Sequence, residues 1–139
     1  MPKLPLPSEA DQLLRRANPA VIATIRTDGS PHTAVTWYDW DGSRILVNMD
    51  ETRVRLQHMR RDPRVALTVV DGADWYRQQT LFGRIAELRD DPDFADIDRL
   101  SLRYTRRAFH NRTRKRVSGL IELDGWYGWE GANPWPPKA

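Results

Sequence analysis

Two groups of arginine are the residues whose type and spacing could do chemistry in this sequence. A guanidinium matches phosphate oxygens, and a helix N-terminus adds free N–H groups and a positive dipole end. The first group follows a predicted strand and opens a predicted helix, on which Arg53, Gln57 and Arg60 share a face. This pattern fits a phosphate site, and it also fits a solvated helix face paired with Glu51 and Asp62. The group comprises Arg53, Arg55, Arg60, Arg61 and Arg64.

The second group lies between residues 99 and 116 and contains no acidic residue. Aspartates are frequent between residues 90 and 98, so part of the pattern matches the helix macrodipole, which favours acid at the start and base at the end. The remaining basic loop, 112–116, could meet the acidic tail of a ligand or a nucleic acid. The group comprises Arg99, Arg103, Arg106, Arg107, Arg112, Arg114, Lys115 and Arg116.

Several kinds of active site are excluded or disfavoured by what the sequence lacks. There is no cysteine, so disulfides, thiolate metal sites and a cysteine nucleophile are excluded. His32, His58 and His110 are far apart in the sequence, and we therefore expect no metal site. No Gly-x-Ser-x-Gly, Gly-x-Gly-x-x-Gly or P-loop lysine motif occurs, so a serine hydrolase, Rossmann or P-loop site is not indicated.

Length and composition predict a single domain over residues 1–139. Hydrophobic residues make up 40% and charged residues 29%, and the net charge is only +3. All but three of the 22 basic residues are arginine, which either codon bias or a phosphate-bearing ligand explains. No apolar run approaches the roughly 20 residues of a membrane span, and the N-terminus lacks a signal-peptide pattern. We therefore expect a cytoplasmic protein without a membrane partner.

The elements that must position the arginines are antiparallel strands and three short helices. Asp28-Gly29 and Asp41-Gly42 are hairpin turn signals, and they predict a three-strand meander. Gly83 predicts a bulge in a long strand, and Asp50 or Thr52 is the expected cap of the second helix. Aromatic residues at strand ends fit either core packing or a wall for a flat ring ligand. The predicted helices cover 8–17, a segment ending near Arg61, and 90–109; the predicted strands cover 20–26, 31–40, 44–49, 65–71, 75–89 and 116–129.

Four segments together resemble a known family. They are VIATIRTDGSPHTAVTWY (21–38), ILVNMDETRVRLQHMRRDPRVAL (45–67), FGRIAEL (82–88) and the ending from Arg116 to GWYGW at 129. These segments resemble the flavin and deazaflavin oxidoreductases of the pyridoxamine 5′-phosphate oxidase-like split β-barrel family, in the branch named for coenzyme F420. The resemblance implies a mainly β (α+β) fold, a six-stranded antiparallel split β-barrel with flanking short helices. It also implies a homodimer with two cofactor sites at its interface.

The resemblance also implies a set of cofactor-binding residues. The cofactor phosphate is expected at Asn48, Arg53 and Arg55, and the ring system against the second strand. Many family members carry Lys in place of Arg55 and Asn in place of His58. The predicted set comprises Ala34, Val35, Thr36, Trp37, Asn48, Arg53, Arg55, His58 and Arg60.

In this family the cofactor carries the redox chemistry, which accounts for the missing triad and metal site. The resemblance and the abundant arginine favour coenzyme F420, a deazaflavin, over FMN, because the deazaflavin has an additional anionic tail. The expected reaction is hydride transfer from F420H2 to a small conjugated or unsaturated molecule. The alternatives are an FMN-dependent pyridoxamine phosphate oxidase-like oxidase or reductase, and a non-catalytic flavin- or tetrapyrrole-binding protein. The net charge of +3 and the absence of an aromatic–basic RNA motif argue against nucleic acid.

Overall fold

The computed structural model describes residues 4–137 as three helices and eight antiparallel strands. Residues 1–3 and the last two residues, Lys138 and Ala139, lie outside the described residues. The elements are α1 (Ser8–Arg15), β1 (Ala20–Ile25), β2 (Pro31–Thr36), β3 (Asp39–Trp40), β4 (Arg44–Asp50), α2 (Val54–Arg61), β5 (Arg64–Val70), β6 (Arg77–Asp90), α3 (Ala95–Thr105), β7 (Arg116–Glu130) and β8 (Asn133–Pro134).

The strands form one sheet whose two ends are brought together by the chain. The order is β2-β1-β5-β6-β7-β4-β3, with β8 paired to β7. β2 and β3 lie at opposite ends of this order, yet only Trp37 and Tyr38 separate them. Three Cα steps span at most about 11 Å, so the sheet must curl until its ends face each other. The result is an antiparallel barrel with a split between β2 and β3, built from six long strands and two two-residue strands, which confirms the predicted fold class.

The predicted continuous strand 31–40, and with it the three-strand meander, is wrong. The strand breaks at Trp37–Tyr38, so that β2 pairs with β1 while β3 pairs with β4 at the far end of the sheet. Tyr38 is fully buried, and its hydroxyl lies 2.8 Å from the carbonyl oxygen of Leu14. Arg103 donates from Nε to the Tyr38 carbonyl at 2.9 Å. These long-range contacts turn the chain inward where its local sequence predicts an uninterrupted strand.

Neither of the first two helices has a side-chain cap, so the predicted cap of the second helix at Asp50 or Thr52 is wrong. α1 begins after Pro7 without a side-chain cap, and Asp11 accepts hydrogen bonds from Arg15 Nε and Trp40 Nε1, both at 2.7 Å. α2 begins after Arg53, also without a side-chain cap. Asp50 instead accepts hydrogen bonds from the backbone N–H and the hydroxyl of Thr52.

The third helix is shorter than predicted, because β6 continues to Asp90 and a turn precedes Ala95. Asp91 is buried in that turn, and its carboxylate accepts the backbone N–H groups of Asp96 at 3.0 Å and Ile97 at 2.9 Å. These are two of the four N–H groups that a helix start leaves unpaired. Asp91 therefore fixes the start of α3 from outside the helix.

The predicted bulge at Gly83 is confirmed. The register between β6 and β7 shifts between Phe82 and Gly83. A Cβ at Gly83 would overlap the carbonyl oxygen of Glu122 on β7, so no larger residue fits there without a backbone shift.

The core lies inside the curled sheet, where alternate residues of the strands meet. Ile22 of β1 and Leu67 of β5, which pair across the sheet, are both buried. Outside the sheet, Leu100 of α3 packs against Leu46 of β4 and Leu120 of β7. α3 therefore covers the outer face of β4 and β7, and it brings the loop 106–115 beside the junction of β4 and α2. Within residues 4–137 no helix is both long and apolar enough to cross a membrane.

Candidate functional site

A cavity of about 670 Å³ opens at the split of the barrel. Its volume lies in the range of small-molecule and cofactor sites. Its walls are formed by the end of β2, by the junction of β4 and α2, and by the part of the chain that runs from α3 to the start of β7. The residues lining it are Val35, Thr36, Trp37, Asn48, Asp50, Thr52, Arg53, Arg55, Ile97, Leu100, Phe109, His110, Asn111, Arg114 and Arg116.

Four arginines and one aspartate give this cavity a positive charge. Asp50 partly neutralises two of the arginines, because its Oδ2 lies 3.3 Å from Arg53 Nε and its Oδ1 lies 3.9 Å from Arg114 Nη1. Burial alone would raise the pKa of Asp50, but hydrogen bonds from Thr52 and the two guanidinium charges lower it below its usual value. Asp50 is therefore a fixed anion whose partners are Arg53 and Arg114.

Arg55 and Arg116 make no ion pair with a carboxylate within residues 4–137. Both side chains are half-buried. Burial lowers the pKa of Arg55 below its usual value, and the charges of Arg53 and Arg116 lower it further. Burial also lowers the pKa of Arg116, against the opposing effect of Asp50 and Asp91. The negative charge of a bound anion would offset both the desolvation and the repulsion of these two guanidiniums, so their environment is suited to an anion.

Asn48 lies at the inner end of the cavity and is buried, with 5% of its surface exposed. Its Nδ2 donates to Asp91 Oδ2 at 3.1 Å and to Ser118 Oγ at 2.9 Å. Its Oδ1 accepts a hydrogen bond from Arg116 Nε at 2.7 Å. Asn48 thus connects the floor of the cavity to the turn that begins α3.

Aromatic side chains form the wall opposite the strand–helix junction. The Trp37 ring is stacked on Tyr104, with ring centres 5.5 Å apart and planes 10° apart. Phe109 meets Trp37 edge to face at 6.2 Å, and the guanidinium of Arg116 lies 4.6 Å above the Phe109 ring. A flat ligand at this wall would find an apolar surface within the same cavity as the two unpaired guanidiniums.

The structure brings six of the nine predicted site residues together. Ala34 is partly buried, packs against the core and does not line the cavity. His58 is buried away from the cavity, where its Nδ1 lies 2.9 Å from Thr24 Oγ1. Arg60 is exposed, and seven residues of helix rise carry it roughly 10 Å beyond Arg53. The six residues in the cavity are Val35, Thr36, Trp37, Asn48, Arg53 and Arg55.

Sequence reasoning missed the cavity residues contributed by the segment between α3 and β7. Phe109, His110 and Arg114 of this segment line the cavity together with Arg116, the first residue of β7, whereas the sequence indicates Arg114 and Arg116 only as part of a basic loop. Asp50 at the end of β4 pairs with Arg116 at the start of β7, and this pairing brings Arg114 and Arg116 to the cavity. His110 stands alone, and no group of three or more His, Asp or Glu suited to a metal ion occurs in the described part of the chain.

Comparison with known proteins agrees with this architecture. The sequence profile of the pyridoxamine 5′-phosphate oxidase family matches residues 6–130. No curated protein is significantly similar in sequence. Among solved structures, an F420 reductase is 25% identical, with 87% of this chain and 98% of that chain covered and a TM-score of 0.79.

Two further structures share the fold. The conserved hypothetical protein Rv2991 from Mycobacterium tuberculosis is 23% identical, with 94% of this chain and 88% of that chain covered and a TM-score of 0.73. A Clostridium acetobutylicum protein related to general stress protein 26, of the pyridoxinephosphate oxidase family, is 14% identical, with 91% and 89% covered and a TM-score of 0.66. With the profile match over nearly the whole chain, these similarities confirm that the chain belongs to the pyridoxamine 5′-phosphate oxidase family.

Proposed function

We propose that this protein is an oxidoreductase that binds a flavin-type cofactor in the cavity at the barrel split, most specifically the deazaflavin coenzyme F420. The observation that carries the proposal is the pair of half-buried guanidiniums, Arg55 and Arg116, without carboxylate partners beside an aromatic wall. The similarity to an F420 reductase supports the choice of deazaflavin. The expected substrate is a small conjugated or unsaturated molecule.

The residues present fit such a cofactor in both charge and shape. Arg55 can donate charge-assisted hydrogen bonds to a phosphate, and Trp37 and Phe109 offer an apolar surface to a ring system. When bound, the deazaflavin supplies a hydride to the substrate. The protein's part is to hold the phosphate, orient the ring and keep water from its buried side. These tasks need no acid–base pair, and the proton that completes the reduction of an unsaturated substrate would come from water.

We further propose that the protein is a homodimer whose second copy covers the outer face of the sheet. A line of uncharged residues crosses this face from β2 to β7, formed in register by Val35, Val21, Thr68, Thr80 and Tyr127. Val35, which also lines the cavity, is 77% exposed. A partner on this face would therefore reach the edge of the cavity and help to enclose the ligand.

The cofactor assignment is tested by titrating the purified protein with FMN and with oxidised coenzyme F420 while following tryptophan fluorescence. We expect micromolar or tighter binding of F420, weaker binding of FMN, and a loss of roughly 10-fold or more in Arg55→Ala. Arg60→Ala is the matched control, because Arg60 lies outside the cavity and its loss should leave both affinities unchanged. Tighter binding of FMN would favour the FMN-dependent alternative, and binding of neither cofactor would refute the proposal.

Catalysis and assembly need separate measurements. Hydride transfer from F420H2 is followed as the return of oxidised-cofactor absorbance, with cyclic enones as trial acceptors. Tight binding without turnover would favour the non-catalytic alternative.

For assembly, Val21→Glu should convert a dimer to a monomer in light scattering, whereas Leu102→Glu, on the exposed side of α3, should not. A wild-type monomer would contradict the proposed dimer.

A further inference from the structure

The hydrogen bonds of Asn48 leave its amide no free donor for an anion in the cavity. Both hydrogens of Nδ2 are used, one by Asp91 and one by Ser118, and Oδ1 accepts from Arg116 Nε. Asn48 faces the cavity, yet every one of its donors is engaged inside the protein. A phosphate approaching it would find no free N–H.

The surroundings of Asn48 also fix which way the amide points. The Asp91 carboxylate already accepts two backbone N–H groups at the start of α3, so it presents acceptors to Asn48. Arg116 presents only donors. The reverse orientation of the amide would oppose oxygen to oxygen at Asp91 and N–H to N–H at Arg116. The carboxylate therefore directs the Asn48 oxygen towards the guanidinium.

This arrangement holds Arg116 by one nitrogen and leaves the other two available. Nε is bound to Asn48 at 2.7 Å, and the guanidinium lies over Phe109. Within residues 4–137 the two terminal nitrogens make no hydrogen bond or ion pair. A guanidinium held in this way has little conformational freedom left to lose when a ligand binds. Its remaining donors are therefore preorganised for an anion.

We infer that Arg116 is a direct ligand of the cofactor phosphate together with Arg55, and that Asn48, backed by Asp91 and Ser118, is a positioning residue that does not touch the phosphate. The inference rests on the proposed function, since it assigns residues of the same site. It moves Asn48 from the predicted ligands to the residues behind them, and it adds an arginine from β7.

The first test observes Arg116 without any cofactor, by the NMR signal of its Nε–H group, assigned by its absence in Arg116→Lys. In the wild type we expect slow hydrogen exchange at this group, and a shift of its signal on adding inorganic phosphate. In Asn48→Leu the exchange should become as fast as that of the exposed Arg60. Fast exchange in the wild type, or no response to phosphate, would overturn the inference.

The second test is a double-mutant cycle on affinity for F420 and FMN. Asn48→Leu and Arg116→Lys should each weaken binding by about 10-fold, and the double variant should lose no more than the single variants, because Asn48 acts through Arg116. Multiplied losses would make Asn48 an independent ligand and overturn the inference. Ser118→Ala is the milder variant should Asn48→Leu fail to fold. Thr24→Val is the matched control, because it removes a buried hydroxyl that contacts His58 and does not line the cavity.

The two tests separate this inference from the proposed function. If the wild type binds neither cofactor, the proposed function fails, while the exchange and phosphate measurements still decide how Arg116 is held and used. If the wild type binds a cofactor and the cycle is additive, the proposed function stands and the inference fails.

Discussion

Arg55 is a half-buried cation whose replacement should have opposite effects on stability and on ligand binding. In Arg55→Met the side chain keeps much of its apolar volume but loses its charge. Without ligand, this removes the desolvation of Arg55 and its repulsion with Arg53 and Arg116, which together outweigh the attraction to Asp50 that is also lost. Repulsion between partly exposed charges is of the same size as the attraction in exposed ion pairs, roughly 0.2–1 kcal/mol. We expect the unliganded variant to be more stable by up to about 1 kcal/mol, which raises Tm by roughly 2–4 °C.

The same substitution should weaken binding of a phosphate-bearing cofactor. A hydrogen bond to a charged group contributes about 1.5–3 kcal/mol, which corresponds to roughly a 10- to 150-fold rise in Kd. The assay is thermal unfolding in a phosphate-free buffer, with and without excess cofactor. The cofactor should raise the Tm of the wild type more than that of Arg55→Met. The difference between the two Tm values should therefore become smaller or change sign when the cofactor is added.

The matched control is Arg53→Met, in the same cavity. Arg53 is paired with Asp50 at 3.3 Å, and its removal leaves that carboxylate with Arg114 at 3.9 Å. Arg53→Met should therefore lower Tm or leave it unchanged in the absence of ligand. Two results would refute this reasoning about Arg55: a lower Tm of unliganded Arg55→Met, or cofactor binding by Arg55→Met as tight as that of the wild type.

Two further predictions concern the scaffold. Gly83→Ala should destabilise the protein by about 1–3 kcal/mol in urea unfolding, because a methyl group there overlaps the Glu122 carbonyl oxygen. The control is Gly72→Ala, which should cost less than about 1 kcal/mol, because the nearest atom to the added methyl group would lie 3.5 Å away. Equal costs would contradict the close approach of β6 and β7 at Gly83. Burial and the nearby histidine and arginines lower the pKa of His58 below its usual value of 6.5. The unfolded chain therefore takes up this proton first, and the free energy of unfolding should fall as pH drops below about 6.5, until the pH reaches the pKa of the folded state. His58→Asn should flatten this dependence, and an unchanged pH profile in that variant would refute the assignment.

Sequence patterns predicted the strands that alternate and the turns that need glycine. Gly29 and Gly42 both have positive φ angles, as the Asp-Gly turn signals require. The break at Trp37–Tyr38 could not be predicted in this way. It depends on contacts of Tyr38 with the end of α1 and with Arg103, which are 22 or more residues away along the chain. Local sequence indicates a strand there, and tertiary contacts override that preference.

The site residues likewise fall into those that local sequence predicts and those that depend on long-range contacts. Arg53 and Arg55 are found from sequence because both follow β4 directly, at a local strand–helix junction. Arg116 cannot be found in this way, because it depends on the register of β4 with β7, in which Asp50 pairs with Arg116, 66 positions further along the chain. Sequence also cannot tell which arginine is already neutralised: Arg53 has Asp50 as a partner, and Arg55 has no carboxylate partner in the described part of the chain.

The position of the cavity follows from how the barrel is split. A sheet closed by hydrogen bonds between its end strands would leave no opening between them, and its interior would be filled by side chains. Here the chain crosses from β2 to β3 through Trp37 and Tyr38, which have opposite roles. Tyr38 is buried and joins the core, whereas Trp37 lines the cavity and stacks on Tyr104 of α3. The crossover that fastens the two sheet ends thus also supplies a wall of the ligand site, so a substitution at Trp37 should change ligand affinity more than it changes stability.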